Sequence, residues 1–172
     1  MLGLRPYKAC DAGTIVSWIA DETALRKWSS DRYDHYPITA ADMNSKYIEN
    51  NGDCAEPDNF YPFTAFDENG IAGHLIMRYT DAEKKVLRLG FVIVDGARRG
   101  QGLGKRMIKL ALDQAFGIYG AEKVTIGVFD NNPAAVGCYL SAGFRPTGES
   151  EYCEIMGERW KVVEMAAEKK DR

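Results

Sequence analysis

Along the chain, apolar and polar positions first alternate over "LGLRPY", Leu2 to Tyr7, which predicts a short opening strand. Asp11 then stands where it would cap a helix over "AGTIVSWIA", and "DETALRKWS" predicts a second helical piece. Thr39 opens "TAADMNSKYIEN" with Asp42 three residues on, close to a capping box, so a third helix is expected. Turn formers crowd residues 50–59, "NNGDCAEPDN", and mark a loop. Beyond it, "FYPFTAFDENGIAGHLIMRYT" carries two β-rich runs joined by Glu68-Asn69-Gly70, a strong hairpin signal. "KKVLRLGFVIVD" and "EKVTIGVFD" supply two further strands, and "GFRPTGESEYCEI" with "ERWKVVEMAA" a closing pair across Met156-Gly157. Between them, Leu103, Met107, Leu110 and Ala111 form one helical stripe with Ile108, Leu112 and Ala115 beside it, an apolar face wide enough for a helix buried on a sheet. The order of elements predicts one mixed α/β domain over residues 1–172 with a largely antiparallel sheet.

Composition narrows the function. The chain has 172 residues, 45% apolar and 27% charged, which is globular. A net charge of −3, from 22 Lys plus Arg against 25 Asp plus Glu, argues against a nucleic-acid partner. Cys10, Cys54, Cys138 and Cys153 lie far apart without a CxxC pair, and only His35 and His74 are available to join them. Free thiols and no metal site are expected. No apolar run approaches a membrane span and "MLGLRPYKACD" lacks an apolar leader core, so the expectation is a cytoplasmic protein with no membrane partner.

The chemistry gathers at "GFVIVDGARRGQGLGKRM", Gly90 to Met107, where an apolar strand runs into a glycine-rich bend and a helix start. The first N–H groups of a helix have no partner inside it, and the dipole favours an anion there. With no side chains at Gly100, Gly102 and Gly104, and with Arg98, Arg99, Lys105 and Arg106 nearby, the bend suits a phosphate group. A Walker A loop is excluded because Arg106 stands where Ser or Thr is required. A dinucleotide fold disagrees with the GxGxG spacing and the surrounding hairpins. A tight turn without a ligand is the remaining alternative on these residues alone.

Arg99-Gly100-Gln101-Gly102-Leu103-Gly104 resembles the Q/R-x-x-G-x-G/A signature of the GNAT superfamily of N-acetyltransferases. "VTIGVFDNNPAAVGCYLSAGF", Val124 to Phe144, is similar to that family's second half-motif: strand, Asn132, a short helix with Tyr139 seven residues on, then Gly-Phe. The tail "GESEYCEIMGERWKVVEM" resembles the ribosomal-protein N-terminal and spermidine acetyltransferase branches more loosely. The resemblance implies a GNAT-like mixed sheet of six to seven strands, mostly antiparallel, with helices on both faces, and acetyl-CoA as co-substrate. It implies that Val92, Ile93 and Val94 meet the pantetheine through their backbone, that Arg99, Gly100, Gln101, Gly102, Leu103, Gly104 and Lys105 surround the pyrophosphate, and that Asn132 contacts the pantetheine arm. It also puts Tyr139 at the CoA sulfur as the candidate catalytic residue. The residues read independently as a helix with Asn132 at its N-cap, Pro133 at its first position and Gly143 at its stop, with Asn132 and Tyr139 about two turns apart on one face.

The implied reaction is direct attack of a neutral primary amine, from a protein N-terminus or a small molecule, on the thioester. Many relatives carry a carboxylate on one of the two central strands, whereas "VLRLGFVIV" has none and Gly127 stands where some relatives have Glu. Glu151, Glu154 and His74 are the candidate bases. A lysine amine is neutral in about one molecule in 2,500 at pH 7 and an α-amine in roughly one in seven, so the lack of a dedicated base favours α-amines. The acidic run Glu149, Glu151, Glu154 and Glu158 leaves a polyamine open. The partners expected are acetyl-CoA and an amine, the assembly a monomer or homodimer, and the alternative a catalytically silent CoA-binding module.

Overall fold

The computed structural model describes all of residues 1–172. Seven strands form a single sheet in the order β1-β2-β3-β4-β5-β7-β6: β1 (Gly3–Pro6), β2 (Tyr61–Asp67), β3 (Gly70–Tyr79), β4 (Val86–Val94), β5 (Lys123–Phe129), β6 (Arg145–Ile155) and β7 (Glu158–Glu168). Every neighbouring pair is antiparallel except β4 and β5, and a parallel pair needs a crossover, supplied here by α4 (Leu103–Gly117). Helices α1 (Ala12–Ser17), α2 (Glu22–Ser29) and α3 (Ala40–Asn44) cover one face, and α4 with α5 (Pro133–Ala142) the other. Alternation along β3 divides the two cores: Leu75 and Met77 point to α4, Ile76 to the N-terminal helices.

Most expected elements are present, with local differences. The Thr39–Asp42 box closes both ways, Asp42 N–H donating to Thr39 Oγ1 at 3.1 Å and Thr39 N–H to Asp42 Oδ2 at 2.8 Å, although the helix widens into π turns over Ser45–Glu49. Asp67 pairs with Gly70, so Glu68-Asn69 form the hairpin loop and Gly70 already belongs to the strand. Asp11 does not cap α1. Its carboxylate turns inward, accepting from Arg5 at 2.8 and 2.9 Å, from the Lys8 N–H at 2.9 Å and from Thr64 Oγ1 at 2.8 Å. A buried bidentate pair outcompetes a solvated cap. Burial alone would raise the Asp11 pKa, but these donors together bring it down to about 2.

Two irregularities shape the centre. Between the pairs His74–Ile93 and Ile76–Gly90, two steps on β3 face three on β4, a bulge that holds Phe91 at φ 48°. The second is a divergence of β4 from β5. Val86–Leu89 pair with Lys123–Ile126, and there the ladder stops; β4 stays with β3 as far as Val94, and β5 stays with β7 as far as Phe129.

Candidate active site

Where β4 and β5 part, the facing backbone edges of Gly90–Val94 and Gly127–Phe129 have no strand partner, so polar main-chain groups border an opening in the middle of the sheet. A cavity of about 630 Å³ passes through it. Val92, Asn132, Ala135 and Tyr139 line one end, from the α4–α5 side. Trp28, Arg78, Arg88, Glu151 and Cys153 line the other, from the face of the N-terminal helices.

The first end is built locally. Gly102, at φ 71°, takes the left-handed N-cap position of α4, a backbone state that favours glycine, and a Cβ there would meet nothing. Arg106 N–H is the first amide of α4 bonded within the helix, to the Gly102 carbonyl at 3.1 Å, which leaves the amides of Leu103, Gly104 and Lys105 without intrahelical acceptors. Arg98 is held by Asp67, whereas Arg99 and Lys105 are exposed. Gly104 lies close to Cys138 of α5 and to Val94, so the glycine bend, the end of β4 and α5 adjoin. Asn132 occupies the N-cap of α5 but its side chain caps nothing, and the residue lines the cavity. Gly143 at φ 115° ends the helix, and Phe144 N–H returns to the Tyr139 carbonyl at 3.0 Å. Tyr139 is buried and engages no hydrogen-bond partner of the chain through its hydroxyl; burial pushes its phenol pKa far above the usual range. Of the residues expected at the cofactor, Val92, Asn132 and Tyr139 border the cavity itself; Ile93 packs towards the N-terminal helices, and Val94 with Arg99 to Lys105 continues the same edge beyond it.

The second end is assembled from distant segments. Trp28 packs on Phe91 with centroids 5.4 Å apart, and Tyr47 lies 5.8 Å from Phe91 and 5.0 Å from Phe60, making an aromatic wall against the bulge. Arg88 makes a bidentate pair with Glu164 of β7, at 2.8 and 2.9 Å. Gly127 leaves room for this pair: a Cβ there would lie 2.6 Å from the Arg88 guanidinium and 3.1 Å from Val162, so the arginine would have to shift. Neither β4 nor β5 carries a carboxylate, and the Arg88–Glu164 pair reaches across β5 at Gly127.

Of the three candidate bases, His74 is fully buried, donating from Nδ1 to the Phe63 carbonyl at 2.8 Å and meeting the Tyr47 hydroxyl at Nε2 at 2.7 Å. Desolvation brings its pKa down to about 4, and it lies off the cavity, bonded on both ring nitrogens to groups of the core. Glu154 is exposed and lies off the cavity; Glu151 borders it. Arg78, Arg88, Glu164 and Trp28 escaped sequence reasoning. No local signal marked the two arginines, because Arg78 comes to face Arg88 only through the register of β3 on β4.

Residues 22–144 match the Acetyltransferase (GNAT) family, most of the chain and all of the donor end of the cavity. The chain belongs to the GNAT family of acetyltransferases. A curated relative, the spermine/spermidine N(1)-acetyltransferase of Bacillus subtilis, is 27% identical over 128 residues, 69% of this chain and 82% of that one. Among solved structures, the spermidine N-acetyltransferase from Vibrio cholerae in complex with CoA and spermine superposes with a TM-score of 0.80 at 20% identity, over 98% of this chain and 96% of that one. AAC(6')-Ib in complex with ribostamycin and coenzyme A gives 0.76 at 16% identity, over 98% and 94%. The protein is accordingly an acetyl-CoA-dependent N-acetyltransferase that passes an acetyl group from the thioester to an amine.

Proposed function

We propose that acetyl-CoA lies along the open edge of β4, with its pyrophosphate on the amides from Gly100 to Lys105, its pantetheine passing Val94, Ile93 and Val92 towards Asn132, and its thioester between Val92 and Tyr139. The observation that carries this is the divergence of β4 and β5, which frees strand amides where an acyl chain can take the place of a neighbouring strand. Residues 1–172 act in this reading as one acetyltransferase domain.

The step is a direct transfer. A neutral primary amine places its lone pair on the thioester carbonyl carbon, the C–N bond forms, a strand amide near Val92 holds the oxyanion, and the C–S bond breaks as thiolate leaves. The amine proton departs to water through the open acceptor end, past Glu151. Tyr139 stabilises the departing sulfur by donating a hydrogen bond and keeps its proton, because a phenol whose pKa burial has raised so far is a poor acid. The names of the relatives support amine acceptors ranging from a polyamine to aminoglycosides, and we take the acceptor here to be a small molecule or a peptide N-terminus. A cytoplasmic protein, monomeric or homodimeric, with no nucleic-acid or membrane partner, is supported by its net charge of −3 and its separated free thiols. CoA release on a panel of amines tests turnover, and its failure with acetyl-CoA still bound would turn the protein into a silent binding module.

A further inference from the structure

We infer that the acceptor end of the cleft is built for an amine that also carries a carboxylate, a free α-amino acid being the simplest case, and that Arg78 grips this anion. The inference deepens the acetyl-transfer reading above and rests on it.

Arg78 and Arg88 are directly opposed across β3 and β4, so both side chains rise from the same face of the sheet into the cleft. Two like charges so placed repel each other, and the fold answers only one of them: Glu164 takes Arg88 bidentately, whereas Arg78, half-buried, engages no carboxylate and no hydrogen-bond acceptor of the chain. A guanidinium presents a planar fork suited to a carboxylate, and holding one unpaired on a cleft floor costs stability unless a ligand answers it. The other charged groups that line this end differ in exposure and pairing. Asp31, Arg32, Glu56 and Glu151 are exposed at the rim, where solvent screens them; Lys27 is half-buried on α2; Asp53 is tied to Lys46. Burial pushes the Cys54 thiol pKa up, with Arg78 pulling it down and Glu56 adding to the rise.

Position along the strand separates this arginine from the cofactor. At about 3.3 Å per residue, Arg88 and its neighbour Arg78 lie roughly 20 Å from Val94, at the end of β4 that leads into the phosphate bend, but only about 13 Å from Val92 beside the thioester. Arg78 is therefore out of reach of the pyrophosphate, while its side chain covers about half of the distance to the thioester and leaves room for a short acceptor between them. The short span calls for an amine only a few bonds from its anion. An ion pair at the carboxylate also acts on the amine: a carboxylate's field holds the proton on a neighbouring ammonium, and a guanidinium that cancels this field releases it. A site without a dedicated base gains its neutral nucleophile from Arg78.

The test measures kcat/KM with acetyl-CoA and a panel of L-amino acids with acidic, apolar and basic side chains, the amide of each, and spermidine, using wild type, Arg78→Met and Arg78→Lys. Expected are at least one free amino acid preferred roughly 10-fold or more over its amide, and a loss on the order of 100-fold for that amino acid in Arg78→Met with a far smaller loss for the amide. Arg78→Lys should recover part of that loss, and the acid limb of kcat should move to higher pH in Arg78→Met. Equal losses on acid and amide, or preference for spermidine with no amino acid either acetylated or bound calorimetrically to the CoA-loaded protein, would overturn this inference and leave the transferase reading standing. Absence of acetyl-CoA binding would bring down both. Circular dichroism of each variant separates these results from misfolding.

Discussion

The donor and acceptor ends of the cleft are built in different ways. Every residue assigned to the donor lies between Gly90 and Tyr139, in one strand–bend–helix–strand–helix passage whose turns and helix ends follow local rules: a left-handed Gly102, an N-cap at Asn132 and, just beyond, a stop at Gly143. The acceptor end draws Trp28 from α2, Arg78 from β3, Arg88 from β4, Glu151 from β6 and Glu164 from β7. A ligand that never changes can be met by a contiguous motif. A ligand that differs between relatives is met by side chains whose backbones serve other purposes and which can be replaced one at a time.

The sharpest way to break this comparison is Gly102→Asp. It brings negative charge to the helix N-terminus and a side chain to a left-handed φ, so acetyl-CoA affinity should fall by roughly 1,000-fold while the acceptor face keeps its structure. Calorimetric titration giving unchanged affinity would remove the pyrophosphate from this bend.

Acid should separate the two ends next. His74 lies under the acceptor side, with a folded pKa of about 4 against an ordinary 6.5. Between these values the unfolded chain takes up the proton and the fold does not, so stability falls as pH drops from 6.5 to 4, by on the order of 3 kcal/mol. Asp11, lowered from 3.8 to about 2, has the usual carboxylate sign: its contribution, about 2 kcal/mol, is complete above its unfolded value and is lost as pH falls to 2. Chemical denaturation across this range should show both steps, and His74→Gln should flatten the upper one. Hydrogen exchange at pH 5 should show earlier opening around α1–α3 and β3 than in α4; uniform loss would mean that the two ends share one acid response.

Tyr139→Phe sharpens the donor side. Removing one hydrogen-bond donor to the departing sulfur should lower kcat about 30-fold with little effect on acetyl-CoA affinity. Because burial keeps the phenol protonated, the ratio of wild type to variant should stay flat from about pH 6 to 9. A wild-type kcat in the variant would return Tyr139 to a packing role beside Phe144.

The smallest effect concerns the thiols. All four cysteines are free, so titration of the unfolded, non-reduced protein should count four, and a lower count would contradict a reducing compartment.

By itself the sequence determined the element order, the hairpin at Glu68–Asn69, the Thr39–Asp42 box, the two ends of α5 and the glycine bend, since periodicity, caps and turns act within a few residues and are written where they act. It misplaced Asp11, whose local role as a cap lost to Arg5 and Thr64 brought in by β1 and β2. The divergence of β4 from β5, the bulge at Phe91 and the Arg88–Glu164 bridge over Gly127 were decided only by tertiary structure. The physical reason is register. A strand's own residues say which face each side chain takes, but whether Arg78 opposes Arg88, or Gly127 lies beneath a guanidinium, depends on how far one strand has slid along the next, and that is set by the packing of the whole sheet between its two helical layers.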